Sequence, residues 1–512
     1  MRSPNRTPER NKQIPMSKHS KLKSPARRLR RLVAAFAAGS VAALAAGASL
    51  AGTAAATTPT APPPVRILVH GKVGDGDFFV SPFGDAETYA NGAEILDQNG
   101  NVVWFHQVPA GEEAADFRVQ TYQGQPVLTF WQGVGAGGHG VGVDYIYNAQ
   151  YQQIGEVQAG NGQSADVHEF EITPWGTALI PAYYETTADL SSIGGPADQK
   201  VLNEVVQEID IATGKVLFEW NPEDHVPFSQ SEQPLPASPT EDWDWFHLNA
   251  IKPDGDGGLL VDARDTWTFY DVNRQTGEIN WQVGGKASTF TQLAAPGQSL
   301  NNAGNLFAWQ HDPEPLGNDE YTVFDDESAG KANTGIEAVQ NLNTSRVDRI
   351  KIDPWDGTAT LVQTWNQPDG QVASSQGNAQ TTADGNLLVG WGNLPYFSEF
   401  DQSGDLLWNA EFPAGVNTYR AYQFPWPPSS TGGGGGNGGG PGNGGGDGGN
   451  GGGPGNGGGS GGHPWPVHHH HPKHRKNHRH GDPSGHGGGH EGRGHGGGRD
   501  DRRSRSKGHG GH

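Results

Sequence analysis

Residues 243–267 combine the residue types and the spacing most suited to chemistry in this chain. The stretch reads WDWFHLNAIKPDGDGGLLVDARDTW and places His247, Asn249 and Arg264 among aromatic residues. All three side chains donate hydrogen bonds, and fixed donors are what a bound anion needs. A Pro-Asp-Gly turn signal followed by a Leu-Leu-Val run indicates strands. Strand ends would place these donors at the mouth of a β-structure, which makes the stretch a candidate site.

Two further histidines lie in similar settings, beside an acidic residue and a predicted strand. His168 lies within residues 166–170, and His311 lies within residues 309–313. If His168, His247 and His311 begin inner strands in different repeats of a ring-shaped fold, they share one pocket. The alternative for each one alone is a histidine bonded within its own turn.

Three imidazoles could instead bind zinc, with water in an open fourth position. Asn249 is a poor zinc ligand, however, and the cation at Arg264 would repel a metal. A serine hydrolase is disfavoured because the chain lacks a Gly-x-Ser-x-Gly motif. The glycine-rich residues 133–142 precede a strand, so they predict no phosphate-binding turn, and His139 within them is expected to be a loop residue at the rim of the pocket.

Residues 1–56 have the layout of a secretory signal. A basic stretch precedes the apolar residues 32–50, and an Ala-x-Ala sequence ends at Ala56. Cleavage after Ala56 would place the mature protein in the cell envelope or outside the cell, and paired arginines also allow a twin-arginine route. A start at Met16 and an uncleaved anchor, for which the run is barely long enough, are the open alternatives.

Residues 429–512 consist almost entirely of Gly, Asn, Pro, His and Arg. This composition cannot bury a hydrophobic core, so we expect a disordered, low-complexity tail. It holds 13 of the 21 histidines of the chain. Their imidazoles could bind divalent metal loosely, or become cationic below about pH 6.5 and touch anionic envelope polymers.

The remaining residues, 65–426, are expected to form one large domain. The formal net charge of the chain is −21 although both of its ends are basic, so this central region is strongly acidic. Such a surface repels nucleic acid and anionic lipid, and it makes Arg264 conspicuous. The chain has no cysteine, so an exported protein of this sequence depends on core burial rather than on disulfides.

One pattern recurs six times in the central region: an apolar pair, a polar turn with glycine, and alternating apolar residues that often close on tryptophan. The copies are residues 95–104, 147–157, 209–220, 270–281, 352–365 and 400–408. Each predicts a β-hairpin. Bare apolar runs precede several copies, within residues 173–180, 252–261 and 382–390, and we interpret these runs as inner strands buried on both faces.

An inner strand and an outer hairpin repeated six times predict an all-β fold, a six-bladed β-propeller with disordered N- and C-terminal tails. A β-sandwich does not need six copies, and a β-helix needs a shorter and stricter period. Seven or eight blades stay open, because the inserts at residues 182–202, 224–242 and 287–308 could each hide a hairpin.

At these residues the chain resembles the arylsulfotransferase family, the aryl sulfate sulfotransferases that need no nucleotide sulfate donor. The resemblance covers about residues 65–426, and its ordered set of motifs is specific although each motif alone is weak. The motifs are residues 166–170, 243–249, 262–267, 277–285, 310–312, 344–346, 377–380, 390–392 and 419–420. The family's fold is a six-bladed propeller with its site in the central channel, in agreement with the repeat count.

The resemblance implies a ping-pong transfer. A histidine takes the sulfuryl group from an aryl sulfate, releases a phenol, and passes the group to a second phenol. By motif order the nucleophile is His311, and the other anion-holding residues are His168, His247, Asn249 and Arg264. Preorganised donors of this kind offset the charge on the sulfuryl oxygens.

Asp312 is expected to orient the ring of the nucleophile, and His168 or His247 would protonate the departing phenolate. Aryl rings would be contacted by four aromatic side chains, Trp245, Phe246, Trp267 and Trp309. The alternative for these four is packing between blades. The better-known enteric members carry an extra β-domain, and some carry a disulfide. We therefore expect this chain to belong to a shorter branch, to which the fold carries over better than the substrate preference.

The expected partners are a small-molecule aryl sulfate donor and a phenolic acceptor, without nucleic acid and without a cofactor; the oligomeric state is left open. Two other functions stay open as well. A non-catalytic, envelope-associated propeller would bind carbohydrate or protein without transfer. A metal-dependent lyase or hydrolase would use the same three histidines and lose activity with a chelator.

Overall fold

The described part of the chain consists of β-strands joined by turns and short 3-10 helices. The computed structural model describes residues 59–255, 257–301, 303–326 and 344–426. The predicted signal segment, 1–56, and the predicted disordered tail, 429–512, lie outside these residues. Within the described ranges, no helix has the length and apolar content that crossing a bilayer requires.

Six sheets arranged in a ring form a β-propeller, as predicted. In chain order the strands are β1 (Arg66–Val69), β2 (Asp77–Phe83), β3 (Gly92–Leu96), β4 (Val102–Gln107), β5 (Glu113–Tyr122), β6 (Gln125–Ala136), β7 (His139–Tyr147), β8 (Gln153–Val157), β9 (Glu171–Ile172), β10 (Thr177–Ala188), β11 (Gln199–Asp210), β12 (Lys215–Trp220), β13 (Trp243–Asp244), β14 (Leu248–Asp254), β15 (Gly258–Ala263), β16 (Thr268–Asn273), β17 (Ile279–Gly284), β18 (Thr291–Ala294), β19 (His311–Gly317), β20 (Glu320–Asp325), β21 (Arg346–Asp353), β22 (Thr358–Asn366), β23 (Asn378–Thr381), β24 (Leu387–Gly390), β25 (Tyr396–Phe400), β26 (Leu406–Glu411) and β27 (Asn417–Phe424). The 3-10 helices are Ser191–Ile193, Pro222–Asp224, Phe228–Gln230 and Arg264–Thr266.

Each blade is an antiparallel sheet whose innermost strand faces the central channel. From the channel outward, the blades are β27-β2-β3-β4, β5-β6-β7-β8, β9-β10-β11-β12, β14-β15-β16-β17, β19-β20-β21-β22-β18 and β23-β24-β25-β26-β1. The long inserts hide no seventh blade among the described residues. Instead β13, directly after the second insert, and β18, within the third, add parallel pairings to the third and fifth blades.

Both ends of the domain close the ring. The last strand, β27, is the innermost strand of the first blade and pairs with β2. The first strand, β1, is the outermost strand of the sixth blade and pairs with β26. The first and sixth blades therefore each contain one strand from the opposite end of the domain. The hydrogen bonds of these two strand pairs close the ring.

All six predicted hairpins are present as the third and fourth strands of the blades, counted from the channel, and β18 and β1 add a fifth strand outside two of them. The structure also explains why the pattern closes on tryptophan. The indole N–H of Trp220 donates to the carbonyl of Gly277 over 2.9 Å, and that of Trp408 donates to the carbonyl of Gln98 over 3.3 Å. Each acceptor lies in the outer hairpin turn of the next blade, so the tryptophan combines apolar packing with a polar bond that joins neighbouring blades.

One prediction about the blades was wrong. The bare apolar runs form β10, β15 and β24, which are second strands rather than innermost ones. A second strand lies between two partners and is covered on both faces by neighbouring blades, which is why it is apolar throughout. The innermost strands β9 and β14 carry polar side chains instead, because they face the channel.

The hydrophobic core of the described residues is divided into six main clusters, each between two neighbouring blades. At the closure between the sixth and first blades, Phe78 stacks on Trp408 with ring centroids 4.3 Å apart and an interplanar angle of 15°. Both side chains are almost completely buried. This contact joins the two blades that the closing strands also hold together.

Replacing Trp408 by alanine is expected to lower the free energy of unfolding by about 3–5 kcal/mol, because it leaves a large cavity between blades. Trp355 is the matched control, since its side chain is 97% exposed, and its replacement should change stability by no more than about 0.5 kcal/mol. Urea unfolding followed by tryptophan fluorescence and circular dichroism measures both. Equal effects of the two substitutions would contradict the role of Trp408 in closing the ring.

Candidate functional site

A cavity of about 490 Å³ opens at the end of the channel where the innermost strands begin. His168, His247, Arg264 and His311 all line it. The histidines come from three blades, because they precede β9, precede β14 and begin β19. Arg264 follows β15 at the start of a 3-10 helix. The structure thus brings together four residues that are far apart in the sequence.

The backbone around the cavity is unusual. Several non-glycine residues there have a left-handed conformation with φ between 49° and 68°: His247, Trp267, Trp309, Asp312 and Gln376. Such conformations each cost of the order of 1 kcal/mol or more, and they persist where the surroundings enforce them. Of these residues His247 and Gln376 line the cavity, and the other three lie within two positions of a lining residue, so the strained backbone lies in the segments that carry the site.

His311 is held at both ring nitrogens. Its Nδ1 lies 2.7 Å from Oδ2 of Asp326, and its Nε2 lies 3.1 Å from the backbone nitrogen of Gln376. A backbone N–H can only donate, so Nε2 accepts and Nδ1 carries the hydrogen. Burial lowers the pKa of His311 well below its usual value, and the Arg264 guanidinium lowers it further. The ring is therefore a neutral imidazole with its lone pair on Nε2.

The prediction that Asp312 orients this ring was wrong. Its carboxylate lies 3.1 Å from the ammonium of Lys252 and 3.3 Å from the guanidinium of Arg420, away from the imidazole. Adjacent residues of a strand point to different sides, so the neighbour of His311 in sequence is not its neighbour in space. Asp326 contacts the ring because β20 pairs with β19 and ends beside His311.

The other two histidines show the same arrangement as His311. Nδ1 of His168 lies 2.9 Å from Oδ1 of Asp166, and Nδ1 of His247 hydrogen-bonds Oδ2 of Asp244. A carboxylate on Nδ1 fixes the tautomer and leaves Nε2 as the second reactive nitrogen. Burial lowers the pKa of His247, and the charge of Asp244 opposes this effect.

The guanidinium of Arg264 is fixed from three sides. It donates to Oδ1 of Asp265 over 2.7 Å and to the carbonyl of Ser374 over 3.3 Å, and its carbon lies 5.0 Å from the ring centroid of Trp309. Burial raises the pKa of Asp265 to about 6, although Arg264 works against this rise. A cation held this way is preorganised to bind an anion in the cavity.

Asn249 does not line the cavity. Its side-chain amide donates to the carbonyl of Gln310 over 2.8 Å, and its backbone carbonyl accepts from Arg420 over 3.0 Å. The structure therefore places it behind the cavity, where it joins β14 to the residue before His311. It can position the backbone next to His311, but it offers no donor to a ligand in this arrangement.

A buried network of ion pairs crosses the channel beyond the cavity. Arg420 pairs with Asp116 at 3.1 Å and Glu169 at 3.2 Å, and Lys252 pairs with Glu169 at 3.0 Å. Several network residues follow a cavity residue directly in sequence, as Glu169 follows His168. The network connects innermost strands of different blades and fixes the positions from which the cavity side chains project.

The four predicted aromatic contacts are buried in packing rather than exposed in the cavity. Trp245 and Phe246 belong to the core between the third and fourth blades. Trp267 packs edge-on against Trp309 with ring centroids 5.3 Å apart, which supports the platform under Arg264. None of the four lines the cavity. The alternative interpretation, packing between blades, describes Trp245 and Phe246.

Different aromatic residues line the cavity. Phe83 and Tyr419 reach it from the first blade. The hydroxyl of Tyr419 is buried and has no hydrogen-bond partner among the described residues. Its ring centroid lies 5.8 Å from that of His168. These two rings are the ones positioned to contact an aryl group.

Sequence reasoning missed Asp244, Asp326 and Gln376, and it placed His139 only at the rim. Asp326 and Gln376 carry no local signal, because their role depends on strand pairing. His139 did carry a local signal, because it follows two glycines at a hairpin tip, and their φ angles are 66° and 90°. The positive φ of these glycines, rather than a lack of space, is what favours glycine here, since a Cβ at Gly138 would lie 3.5 Å from Cε1 of His247, an ordinary contact distance.

Within the described ranges, the side chains close enough to share a metal ion are His139, Asp244 and His247, whose donor atoms lie within 4.8 Å of one another. Only His247 belongs to the trio for which zinc binding was considered from the sequence. The metal-dependent alternative stays a prediction, with chelation as its test.

One family model and several solved structures are similar to this chain. The model of the family described as Arylsulfotransferase (ASST) matches residues 118–413. No curated protein matches the chain. Similar solved structures include a protein of unknown function from Bacteroides caccae, at 12% identity and a TM-score of 0.41, covering 68% of this chain and 99% of that one. Another is a catalytically inactive virginiamycin B lyase from Staphylococcus aureus with quinupristin, at 10% identity and a TM-score of 0.34, covering 72% and 90%.

Proposed function

Because the chain belongs to the arylsulfotransferase family, we propose that it transfers a sulfuryl group from an aryl sulfate to a phenolic acceptor through a sulfohistidine. The observation that carries this proposal is the pairing of His311 with Arg264 in one cavity. A neutral imidazole with its lone pair on Nε2 is a nucleophile, and a fixed guanidinium beside it is a counter-ion for the group being transferred.

In the first half-reaction, Nε2 of His311 attacks the sulfur of the bound aryl sulfate. A nitrogen–sulfur bond forms while the bond from sulfur to the aryl oxygen breaks, and the electron pair leaves on the phenolate. His168 or His247 donates a proton to that oxygen, so a neutral phenol departs. Asp326 stabilises the positive charge that develops on the ring of His311, since it accepts the Nδ1 hydrogen.

In the second half-reaction a phenolic acceptor takes the place of the first product. The same acid–base histidine, now neutral, removes the proton of the acceptor hydroxyl as its oxygen attacks the sulfur. The nitrogen–sulfur bond breaks and its electron pair returns to Nε2 of His311. The site is thereby restored, and neither half-reaction requires a cofactor.

Two kinds of donor would hold the sulfuryl oxygens during transfer. Arg264 supplies two N–H groups on one rigid plane. The backbone N–H of Gln376, which occupies Nε2 of His311 in the free site, would turn to a sulfuryl oxygen once that nitrogen carries the group. Phe83 and Tyr419 would contact the aryl ring. Such donors act most strongly in a site shielded from water.

We propose that this transfer takes place outside the cytoplasm, in the cell envelope or in the medium. The support is the layout of residues 1–56, a basic stretch, an apolar run and an Ala-x-Ala sequence. N-terminal sequencing of the protein recovered from cells tests it, because cleavage after Ala56 would give a chain that begins at Thr57.

Brief incubation of the full chain with an aryl sulfate and no acceptor is expected to leave one sulfuryl unit on His311. Intact-mass spectrometry followed by peptide mapping detects it, and phenol added next should remove it. Mapping also separates His311 from the histidines of residues 429–512. A stoichiometric adduct on another residue would overturn the assignment to His311. Saturable binding without any adduct would favour the non-catalytic propeller.

A further inference from the structure

His139 lies at the tip of the hairpin formed by β6 and β7, which extends from the second blade to the cavity. Its ring centroid lies 5.3 Å from that of His247, 6.3 Å from that of His168 and 4.2 Å from that of Tyr183. Gly137 and Gly138, both with positive φ, form the turn at this tip, and Gly140 lies where a Cβ would come within 2.5 Å of the Trp131 ring. A fourth imidazole therefore belongs to the cavity, and the mechanism above does not use it.

The hydrogen bonds of His139 link it to His247. Its Nε2 lies 3.2 Å from Oδ2 of Asp244, and the same oxygen accepts the hydrogen of Nδ1 of His247. Two imidazoles from the second and fourth blades thus share one carboxylate oxygen from β13 of the third blade. Nδ1 of His139 is buried and has no partner among the described residues.

Because His139 and His247 share this carboxylate, His139 disfavours the charged form of His247 whether His139 itself is protonated or neutral. A protonated His139 neutralises Asp244 and repels a second proton nearby. A neutral His139 donates Nε2–H to Asp244 and makes its oxygen a weaker partner for an imidazolium. Both effects disfavour the charged form of His247.

The charged and titratable groups around His247 come from every element packed against it. They are Asp244 on β13, His139 on β7, His168 before β9, Tyr183 on β10, Glu204 on β11, Arg264 and Asp265 on the 3-10 helix, and His311 on β19. Burial opposes the charged form of His139 too, but Asp244 outweighs it and the pKa of His139 is raised, whereas that of His247 is lowered. The two imidazoles on Asp244 are therefore not equivalent.

We propose that His139 is a positioning residue for the transfer reaction. By sharing Asp244, it lowers the proton affinity of His247. That ring then gives its Nε2 proton to the departing phenolate in the first half-reaction and afterwards stays neutral, ready to take the proton of the phenolic acceptor in the second. This inference rests on the proposed function and assigns the acid–base role to His247. It makes the second half-reaction, the discharge of the sulfohistidine to a phenol, the step that depends on His139.

Replacing His139 by alanine is expected to raise the pKa that governs the second half-reaction by about one pH unit. At a pH below that pKa the discharge rate falls about tenfold, and at high pH the variant and the unaltered protein converge. Rapid mixing of the sulfated protein with phenol across a pH series measures the rate. His139→Gln should shift the profile less, because its amide can still donate to Asp244. His70→Gln, at an exposed histidine on the outside of the propeller, should not shift it.

A second readout does not require transfer at all. Of the two forms of a histidine ring, diethyl pyrocarbonate modifies only the neutral one, so the pH dependence of its reaction at His247, followed by peptide mapping, reports the pKa of that ring. An upward shift in His139→Ala supports the shared carboxylate even if no sulfuryl adduct forms in any variant, an outcome that would refute only the proposed transfer. An unshifted His247, or a rate loss of equal size at every pH, would overturn the role of His139.

Discussion

The substitution His311→Asn is expected to reduce turnover of an aryl sulfate in the presence of phenol by at least about a thousandfold, because it removes the nucleophile. Asparagine keeps the site polar. Its amide nitrogen overlaps the position of Nδ1 and can still donate to Asp326. The loss should therefore come from chemistry rather than from unfolding of the cavity.

Two measurements test this expectation directly. Release of a chromogenic phenol gives the turnover, and intact-mass spectrometry should find no sulfuryl unit on the variant. A thermal melt like that of the unaltered protein excludes misfolding, and His70→Gln provides an active control. If His311→Asn turned over substrate at a normal rate, the sulfohistidine would be another residue or would not exist.

The substitution Arg264→Met is expected to slow formation of the sulfohistidine by about a hundredfold to a thousandfold, the usual effect of removing a preorganised donor to a developing anion. It should also change the pH dependence. Burial is the main cause of the low pKa of His311 and Arg264 is the largest charge that adds to it. Without the guanidinium this pKa rises, and the acid limb of sulfohistidine formation moves to higher pH.

Arg264→Lys is the informative companion, because it keeps a cation but loses the planar pair of donors and the stacking on Trp309. It should retain most of the low pKa of His311 and yet transfer slowly. Single-turnover phenol release over a pH series separates the two effects. An Arg264→Met variant with an unchanged rate and an unchanged acid limb would show that the guanidinium does not face the transferred group.

The propeller could be predicted because its signals are local. A hairpin needs a turn and alternating residues within about a dozen positions, and six such segments were recognisable before any contact was known. The error about the apolar runs has a physical origin. Burial on both faces does not tell a strand next to the channel from the strand behind it, since that distinction depends on which neighbour it pairs with.

The candidate site could be predicted only in part. His168, His247 and His311 were recognisable from their repeated settings, and Arg264 from its isolation in an acidic chain. The aromatic residues beside them were misleading. Trp245 and Phe246 precede His247 directly, yet they point into the core between blades, while Tyr419 reaches the cavity from the last strand.

The amino-acid pattern by itself determined the six hairpins and the three histidines at or before the innermost strands, because periodicity and turn chemistry act between near neighbours. The exclusion of a seventh or eighth blade among the described residues required the structure. Only the tertiary structure decided which carboxylate each histidine receives. Asp326 reaches His311 through strand pairing. Asp244 joins His139 to His247 across three blades. Contacts of that kind form only when the blades close around the channel, so the spacing of residues along the chain does not predict them.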